Sequence, residues 1–388
     1  MDQTLAETLA GWRRHLHAHP GLTLHEAETA AFVAAKLREM GIEVAEGIGG
    51  HGLVATLRRG PGAQGGGSNR SVGLRADMDA LPIQELNEAL PYRSTTPGVM
   101  HACGHDGHTA ALLGAAALLQ QDEGWTGTVQ LVFQPAEEGG GGARAMIADG
   151  LFQRFPMERI FGWHNWPGLE AGTIAVHEGP VMAAGARFEI ALTGHAGHAA
   201  LPHLTRDPMI GAGHCIVALQ SIVARNIDPM QAAVVSVTVA EAGEAQNQVA
   251  SRAVLKGTAR WLVPETGEAI EAAMRRVAAG VAATFGLEAE VLFKVGVEPT
   301  VNHPAERELA ATAAGAVTAV RRDLPPAMTG EDFSFFLKEV PGAFVWIGNG
   351  PGDGGRELHN PAYDFNDAIL PVASGYLVEV AKRALAGA

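Results

Sequence analysis

The sequence predicts an α/β fold with a second, inserted α+β domain, and three observations support this prediction. Helical and strand patterns alternate over the first part of the chain, which is typical of a layered α/β domain. The rhythm changes after about Gly185, where strands and helices follow in a different order. Residue types common in metal sites occur on both sides of the changed segment, so that segment is predicted to be an insertion.

The first domain is predicted to contain a central mixed sheet. A helix with apolar residues at helical spacing runs from Glu26 to Met40 and ends at Gly41. Residues 59–69 are rich in glycine and lack periodicity, which predicts a surface loop between two strands. The strands themselves are short β-rich runs at Gly52–Leu57, Ser71–Leu74 and Thr128–Phe133.

The inserted domain is predicted at residues 184–296, with residues 1–183 and 297–388 forming the first domain. Its pattern is strand, helix, two strands, helix, strand, which predicts a four-stranded antiparallel sheet with both helices on one face. The predicted strands are Arg187–Leu192, Ala233–Ala240, Ala253–Trp261 and Ala289–Phe293, and the predicted helices are Asp207–Ala224 and Thr266–Phe285.

Composition excludes several classes of protein. The 388 residues are 47% hydrophobic, which is enough to build substantial cores. A net charge of −14 argues against nucleic acid and against an anionic membrane surface, because both need a clustered basic face. The longest apolar run, Ala110–Leu119, is too short to span a bilayer, and no signal peptide is evident. With only Cys103 and Cys215, a disulfide framework is excluded and a cytoplasmic location is predicted.

The densest cluster of reactive side chains is the segment Met100–His108, which holds three imidazoles, a thiol and a carboxylate. Cys103 and His105 lie just before an apolar helical run, in a strand-to-helix connection where open α/β sheets bind ligands. A thiolate and an imidazole suit zinc or another borderline transition ion. The alternative is a buried cysteine with nearby surface histidines. This alternative is disfavoured because three further clusters of residues typical of metal sites follow in the sequence.

Two adjacent carboxylates, Glu137 and Glu138, follow the strand Thr128–Phe133 and precede four glycines. Adjacent carboxylates repel each other, so one tight loop holds both when a cation compensates one and the other serves in proton transfer. The glycines allow a close approach of the backbone. A solvated acidic turn is the alternative for a Glu-Glu pair on its own.

Two isolated histidines complete the pattern. His164 lies between Trp163 and Trp166, and His359 lies in a turn that is limited by Pro361. Either histidine alone is more often a core or surface residue than a ligand. Counted with Cys103, His105 and one carboxylate of the Glu137–Glu138 pair, they give five ligands, which suffice for two metals that share a bridging group or water.

Nearly the whole chain resembles the dimetal amidohydrolases of the aminoacylase and carboxypeptidase G superfamily. The similarity is greatest to the branch with hippurate hydrolases, N-acyl-amino-acid amidohydrolases and auxin-conjugate hydrolases. The motifs that carry it are Arg13–Pro20, Arg75–Pro82, His101–His108, Gln134–Gly142, His164–Pro167, Gly197–His203, Gly330–Phe333 and His359–Pro361. The resemblance implies a metallopeptidase-like catalytic domain, made of the first domain, and an inserted lid and dimerisation domain.

The resemblance also assigns the metal site. It implies that two divalent ions, zinc or manganese with cobalt or nickel as alternatives, are held by Cys103, His105, Glu138, His164 and His359. Glu137 is then the general base that acts on metal-bound water. Asp79 matches an acidic residue behind the metal-binding loops. Asp77 stands where other branches have a histidine ligand, and its role is left open.

For the inserted domain, the resemblance implies substrate contacts and a homodimer or homotetramer. His198 matches a histidine that stabilises the oxyanion, often from the partner subunit, and a surface histidine in a turn is the alternative. Asn247 and Arg260 match lid residues that grip the substrate carboxylate, so the two are expected near each other. A solvated strand arginine is the alternative for Arg260.

The predicted function is hydrolysis of small N-acyl amino acids, such as hippurate, to a carboxylic acid and a free amino acid. Trp163 and Trp166, which flank His164, are expected to line an acyl pocket, and this favours a hydrophobic acyl group such as benzoyl over acetyl. A dipeptidase or carboxypeptidase of the same superfamily is the nearest alternative. A His-Asp metal phosphohydrolase fits less well, because those residues normally occur in mostly helical domains. A non-catalytic metal-binding protein has no need of Glu137.

Overall fold

A computed structural model describes residues 3–60 and 70–387, so most of the loop predicted at 59–69 lies outside the described residues. The chain forms two compact units. The first consists of Met1–Val181, Val301–Pro325 and Asp332–Ala388, and the second of Met182–Thr300 and Pro326–Glu331. The segment Pro326–Glu331 is a part of the second unit that the predicted boundaries at 184 and 296 leave out.

The elements of the described residues are named here in chain order. The helices are α1 Gln3–Ala18, α2 Ala27–Glu39, α3 His105–Gln121, α4 Gly142–Ala148, α5 Leu151–Arg154, α6 Pro208–Asn226, α7 Pro264–Phe285, α8 Pro304–Gly315, α9 Phe336–Glu339 and α10 Leu370–Ala386. The strands are β1 Glu43–Ile48, β2 Gly52–Arg59, β3 Ser71–Asp77, β4 Gly127–Gln134, β5 Arg159–Pro167, β6 Ile174–Ala175, β7 Pro180–Met182, β8 Ala184–Thr193, β9 Gly197–His198, β10 Ala233–Ala242, β11 Gln248–Val249, β12 Arg252–Trp261, β13 Glu288–Val297, β14 Thr300–Val301, β15 Val320–Arg321 and β16 Gly342–Gly350.

The first unit is built on an eight-stranded mixed sheet with the order β1-β2-β4-β3-β5-β16-β6-β15. Strands β4, β3, β5 and β16 are neighbours and run parallel, so their carboxyl ends lie at one edge. These strands are buried along almost their whole length, as expected for parallel strands covered on both faces. The predicted α/β fold with a central mixed sheet is confirmed.

Helix α3 is buried on nearly all sides, and its sequence is correspondingly apolar all round. It packs against α10, where the Ser374 hydroxyl donates a hydrogen bond to the Ala111 carbonyl (3.0 Å). Gly114 allows this approach, because a Cβ there would overlap the Ser374 hydroxyl and the Leu9 side chain. These contacts hold the middle of α3 closely against α10.

The second unit is a four-stranded antiparallel sheet of order β10-β12-β8-β13. Helices α6 and α7 cover one face, as predicted. Alternate residues of β8 point into the core between sheet and helices, and this core includes Phe188, Ile190, Cys215, Leu219, Ile270 and Met274. The intervening residues of β8, β12 and β13 lie on the other face, which the two helices leave uncovered.

Candidate metal centre

The predicted site residues of the first unit gather at the carboxyl ends of the parallel strands. Strand β3 ends at Asp77, which pairs in register with Gln134, the last residue of β4. Glu137 and Glu138 follow β4, while His164 lies within β5. This edge is where open α/β sheets bind ligands.

The five predicted ligands form overlapping groups. The Cys103 thiol lies 3.4 Å from His164 Nε2, and both are within 4.8 Å of a ring nitrogen of His105. Cys103 also belongs to a group with Glu138 and His359, in which His359 Nε2 lies 3.1 Å from Glu138 Oε1. The structure thus brings together every predicted ligand, although these are far apart in sequence.

The donor set fits divalent cations. His164 Nδ1 donates to the Asn165 carbonyl (2.6 Å), so the lone pair of Nε2 faces Cys103. His105 Nδ1 lies 3.3 Å from Asp79 Oδ1, while its buried Nε2 has no hydrogen-bond partner within the described residues. Buried imidazole nitrogens that face a thiol and carboxylates without hydrogen bonds are expected of a site that a cation completes.

The electrostatics of the centre also indicate a site that a cation completes. Burial raises the pKa of the Cys103 thiol well above its ordinary value, and Glu138, Glu137 and Asp77 raise it further. Burial by itself lowers the pKa of His105, but nearby carboxylates, Asp77 first, outweigh it and raise that pKa to about 10. Groups that become negative are crowded together here, and a bound cation relieves that crowding.

Asp79 connects two of the loops that carry predicted ligands. Its Oδ1 accepts a hydrogen bond from the backbone N–H of Glu137 (3.1 Å), and its Oδ2 accepts from the N–H of Glu138 (3.0 Å) and from the Thr23 hydroxyl (2.7 Å). Together with its contact to His105, this places Asp79 directly behind the donor groups, where a carboxylate fixes the orientation of a histidine ligand.

Both carboxylate oxygens of Asp77 accept hydrogen bonds from neighbouring side chains. Arg75 donates to Asp77 Oδ2 (2.8 Å), and His108 Nδ1 donates to Oδ1 (2.6 Å). His108 Nε2 accepts from the backbone N–H of Asn165 (3.0 Å), so both of its ring nitrogens are used. Asp77, His105 and His108 are close enough to form a metal site of their own. The hydrogen bonds of His108 favour a positioning role for this pair instead.

Asn165 is a site residue that the sequence did not reveal. Its side-chain amide donates to the Cys103 carbonyl (2.7 Å), and its Oδ1 accepts from the Tyr363 hydroxyl (2.7 Å). Its backbone contacts both His108 and His164. Asn165 therefore ties β5 to the Cys103 loop. In the sequence, Asn165 stood out only as a member of the motif His164–Pro167, which assigned it no role.

Two loops of the centre have unusual backbone conformations. Ala136 (φ 52°) and His359 (φ 65°) adopt the left-handed region, where the described residues otherwise place only one residue that is not glycine, Leu24. Such a conformation costs on the order of 1–3 kcal/mol and persists where surrounding contacts enforce it. One of these residues precedes Glu137, and the other is itself a predicted ligand.

The aromatic residues around His164 differ in accessibility. Trp163 is fully buried and packs edge-on against His108, so it is not available to line an acyl pocket as predicted. Trp166 is partly exposed, lies 6.3 Å from the His164 ring and stacks on Trp346 at 3.7 Å. Of the two predicted pocket residues, only Trp166 faces an accessible surface.

In the second unit, His198 and Asn247 are neighbours. His198 pairs with Gln248, and the N–H of Ala199 donates to the Asn247 carbonyl (2.9 Å). Arg260 is far from both, which corrects the expectation that Asn247 and Arg260 lie together. Arg260 pairs with Gly185 at one end of the β8–β12 ladder, whereas His198 and Asn247 follow its other end.

No helix of the described residues is long and apolar enough to cross a membrane. The mixed sheet and its thiol, imidazole and carboxylate donors define the class of a metal-dependent hydrolase. Residues 73–383 match the family model of peptidase family M20/M25/M40, and the chain belongs to this family. It is an M20 metal-dependent amidohydrolase.

Individual relatives are similar along nearly their full lengths. N-acetyl-L-cysteine deacetylase of Bacillus subtilis (strain 168) is 40% identical over 383 residues, which cover 98% of this chain and 89% of the relative. Hippurate hydrolase of Campylobacter jejuni is 39% identical over 376 residues, covering 96% and 95%. The crystal structure of a dinuclear metal-binding peptidase of the M20 family from Bacillus subtilis is similar over 100% of both chains, with 36% identity and a TM-score of 0.87. These similarities support two metal ions in this protein as well.

Proposed function

We propose that this protein hydrolyses the amide bond of N-acyl amino acids and releases a carboxylic acid and a free amino acid. The observation that carries the proposal is the convergence of a thiol, three imidazoles and two adjacent carboxylates at one edge of the sheet. N-acetylcysteine and hippurate, which appear in the names of two relatives, are both N-acyl amino acids.

In this proposal Cys103, His105, Glu138, His164 and His359 hold two divalent cations, zinc or manganese, with cobalt or nickel as alternatives. When bound, such cations polarise the amide carbonyl and lower the pKa of water toward about 7. A metal thiolate needs a reduced cysteine, and both Cys103 and Cys215 are unpaired in the structure. This supports the predicted location in the reducing cytoplasm.

Glu137 is the general base of the proposed reaction. Its carboxylate removes a proton from the attacking water and later delivers that proton to the leaving amine nitrogen. The loop that carries it is fixed by Asp79, and its Oε1 accepts a hydrogen bond from the Asp332 N–H (3.3 Å). Because neighbouring contacts hold this side chain, it is preorganised for proton transfer.

His198 supports the oxyanion in the proposed mechanism. Its Nδ1 accepts a hydrogen bond from the Ala200 N–H (3.1 Å), so the neutral ring carries its proton on Nε2. The exposed Nε2–H is then a donor for the negative charge that develops on the carbonyl oxygen.

His198 and Asn247 are neighbours, but Arg260 of the same chain is too far away to contact the same substrate molecule. All three residues can act on one substrate only if Arg260 comes from a different chain. The rungs Gly185–Arg260 and Thr193–Arg252 are eight residues apart, which corresponds to about 26 Å along a strand. A single N-acyl amino acid does not span this distance. We therefore propose that one chain supplies Arg260 for the substrate carboxylate while its partner supplies His198 and Asn247.

The exposed apolar residues favour a homodimer that is formed through the second unit. Of the twelve exposed large hydrophobic residues in the described part of the chain, nine lie in this unit, among them Met209, Ile210 and Val217 on α6. Strand β10 is an edge strand, and it exposes Val234 and Val239. An unpaired edge beside an apolar helix face is a typical surface for a symmetric contact with a second copy.

A hydrophobic acyl group such as benzoyl fits the surroundings of His164 best. Trp166 offers a partly exposed ring that is held flat against Trp346, and it lies beside the proposed ligand His164. A rigid aromatic surface of this kind binds an apolar group with little loss of side-chain entropy.

A substrate screen with defined metal loading tests the proposal. The metal-free enzyme is reloaded with zinc, manganese, cobalt or nickel and assayed on N-acetyl and N-benzoyl amino acids and on dipeptides. We expect turnover of N-acyl amino acids only after loading. Blocking the substrate carboxylate as a methyl ester should lower kcat/KM sharply in the wild type and much less in Arg260→Ala.

Two results would contradict parts of the proposal. Faster turnover of dipeptides than of every N-acyl amino acid identifies a dipeptidase. Equal turnover of free and blocked carboxylates shows that carboxylate recognition is wrong and that the enzyme is a broader amidase.

A further inference from the structure

Three cationic side chains form a contiguous cluster on the face of the second unit's sheet that α6 and α7 leave uncovered. Lys294 of β13 and Arg187 of β8 are directly opposite in the strand register. Arg260 of β12 pairs with Gly185 and is thus the diagonal neighbour of Arg187, with Cβ atoms about 7–8 Å apart. Arg187, Arg260 and Lys294 are referred to below as the cation cluster.

Within the described residues, no carboxylate forms an ion pair with any member of the cation cluster. The acidic residues of the same face lie elsewhere: Glu189 is 3.6 Å from Arg252, Glu241 is 3.6 Å from Lys256, and Glu288 and Glu290 are four or more residues from Lys294 along β13. Like charges directly opposite each other destabilise a sheet. The chain has 42 acidic and only 28 basic residues, so three neighbouring cations without acidic partners run against its overall composition.

The Arg260 guanidinium is placed to receive a ligand. It lies across Gly185, where any side chain would overlap it, and its one hydrogen bond within the described residues is to the Ala259 carbonyl at 3.3 Å. Burial lowers the pKa of Arg260, and the neighbouring Arg187 lowers it further. Most of its N–H donors remain available for an anion.

The same face has space for a ligand next to Arg187. A groove of about 420 Å³ is lined by Arg187, Lys294, Lys256, Thr238 and Thr258, and also by Leu292 and by Glu189, whose carboxylate lies 3.6 Å from Arg252. Such a lining suits a carboxylate on a short flexible chain, since guanidinium, ammonium and hydroxyl groups all donate hydrogen bonds to carboxylate oxygens.

We infer that Arg187 and Lys294 bind a second carboxylate of the substrate, so that the preferred amino-acid portion is acidic, as in N-acyl-glutamate or N-acyl-aspartate. This inference rests on the proposed function, in which Arg260 binds the α-carboxylate. The side-chain carboxylate of such a substrate is only a few bonds from the α-carboxylate, which matches the diagonal placement of Arg187 beside Arg260.

A comparison of N-benzoyl-glutamate with N-benzoyl-glutamine tests the inference, because these substrates have the same shape and differ in one charge. We expect the wild type to prefer the glutamate compound in kcat/KM by about tenfold or more, the usual effect of a charge-assisted hydrogen bond. Arg187→Ala should abolish the preference, and Arg187→Lys should retain part of it. Arg252→Ala is the matched control, since Arg252 is on the same face but pairs with Glu189, and it should keep the full preference.

Two other outcomes of these measurements would overturn the inference. Equal kcat/KM for the two compounds in the wild type, with both hydrolysed, removes the second carboxylate site and leaves the proposed function intact. Loss of the dimer in Arg187→Ala, seen by sedimentation, shows that the cation cluster binds a second copy of the chain instead.

Calorimetric titration with glutarate separates the inference from the proposed function. If no amide is hydrolysed at all, the proposed function fails. Glutarate binding to the wild type and to Arg252→Ala, but not to Arg187→Ala, then still supports a dicarboxylate site. Equal binding to all three proteins, or to none of them, overturns it.

Discussion

Among the described residues of the first unit, two largely buried clusters of ionisable groups have their charges arranged in different ways. In one cluster, each carboxylate has a cationic partner: Asp364 and Asp367 contact Arg13 (3.0 and 2.6 Å), while Asp106 and Glu85 contact His17 (2.8 and 3.3 Å). In the metal centre, the Cys103 thiol lies against carboxylates that raise its pKa. The first cluster is balanced by the protein itself. In the second, Arg75 pairs with Asp77, but the Cys103 thiol lies beside the carboxylates of Glu138 and Glu137.

This difference separates structural charges from functional ones. Buried opposite charges satisfy each other and mainly specify a fold, whereas buried groups of the same sign destabilise the protein unless a ligand compensates them. The cation cluster of the second unit also lacks acidic partners, but Arg187 and Lys294 are exposed to solvent, so its like charges destabilise the protein less, and we infer an anionic ligand there from the geometry of the cluster. Variants of the residues in these clusters test the distinction.

Neutralising Glu137 distinguishes a role in proton transfer from a role in metal binding. Glu137→Gln should lower kcat by about 10²–10⁴-fold, the range for general-base catalysis, while the metal content stays near that of the wild type. Steady-state kinetics together with elemental analysis measures both quantities. Glu138→Gln is the comparison variant and should lose metal. A parallel fall of metal content and activity in Glu137→Gln would show that the two carboxylates share or exchange their roles.

The proposed contribution of the partner chain is expected to be somewhat smaller. His198→Ala should lower kcat by about 10²–10³-fold with little change in KM, because an oxyanion contact forms mainly in the transition state. Mixing this variant with Glu137→Gln under subunit exchange should restore some activity, since one site of the mixed dimer then has both groups. Verified heterodimers without recovered activity place His198 in the site of its own chain.

The balanced cluster should respond to pH through His17. Burial by itself lowers the pKa of His17, but hydrogen bonds to Asp106 and Glu85 outweigh it and raise that pKa to about 9, above the ordinary value of 6.5. The resulting stabilisation is complete below about pH 6.5 and is lost as the pH rises through about 9. In the metal-free protein, the difference in unfolding free energy between wild type and His17→Gln should thus shrink by on the order of 3 kcal/mol from pH 6 to pH 9.5.

Chemical denaturation at the two pH values measures this effect. Glu85→Gln serves as the control, because it removes one of the two carboxylate partners and should reduce the pH dependence without abolishing it. If the difference in unfolding free energy between wild type and His17→Gln is constant with pH, then His17 is neutral in the folded protein and does not balance the charges of Asp106 and Glu85.

The smallest predicted effect concerns Asp79, which lies behind the proposed ligands. Asp79→Asn should weaken metal binding by about 10–100-fold, as is typical when the carboxylate partner of a metal-binding histidine is changed. Competition with a chelator of known affinity measures the change. Thr23→Val removes only the hydroxyl contact to Asp79 and should cost less. Unchanged affinity in Asp79→Asn would mean that the loop of Glu137 and Glu138 is held without this carboxylate.

The sequence was informative wherever a short segment carries its own chemistry. The clusters at Cys103–His105 and Glu137–Glu138 combine donor types with glycine-rich or helix-initiating surroundings, so they indicated a metal centre without a structure. The element types of the second unit were also predictable, because helical and strand periodicities are local properties of the chain. Element ends were placed less well: β13 extends to Val297, whereas the sequence predicted an end at Phe293.

Relations between distant segments required the tertiary structure. Asn165 joins Cys103, His108 and Tyr363, yet in sequence it is an ordinary polar residue after a histidine. Trp163 and Trp166 look equivalent in sequence, and only the structure shows that Trp163 lies in the buried middle of β5 while Trp166 lies at its partly exposed end.

By itself, the sequence therefore determined the fold class, the elements of the inserted domain and the donor types of the metal centre. The tertiary structure decided that Asp79 holds the Glu137 loop and that Arg260 and Asn247 lie at opposite ends of a sheet. The reason is physical: periodicity fixes which face of a strand a residue occupies, whereas the register between strands depends on packing over the whole core. The register therefore sets which distant side chains come into contact, and these contacts form the site.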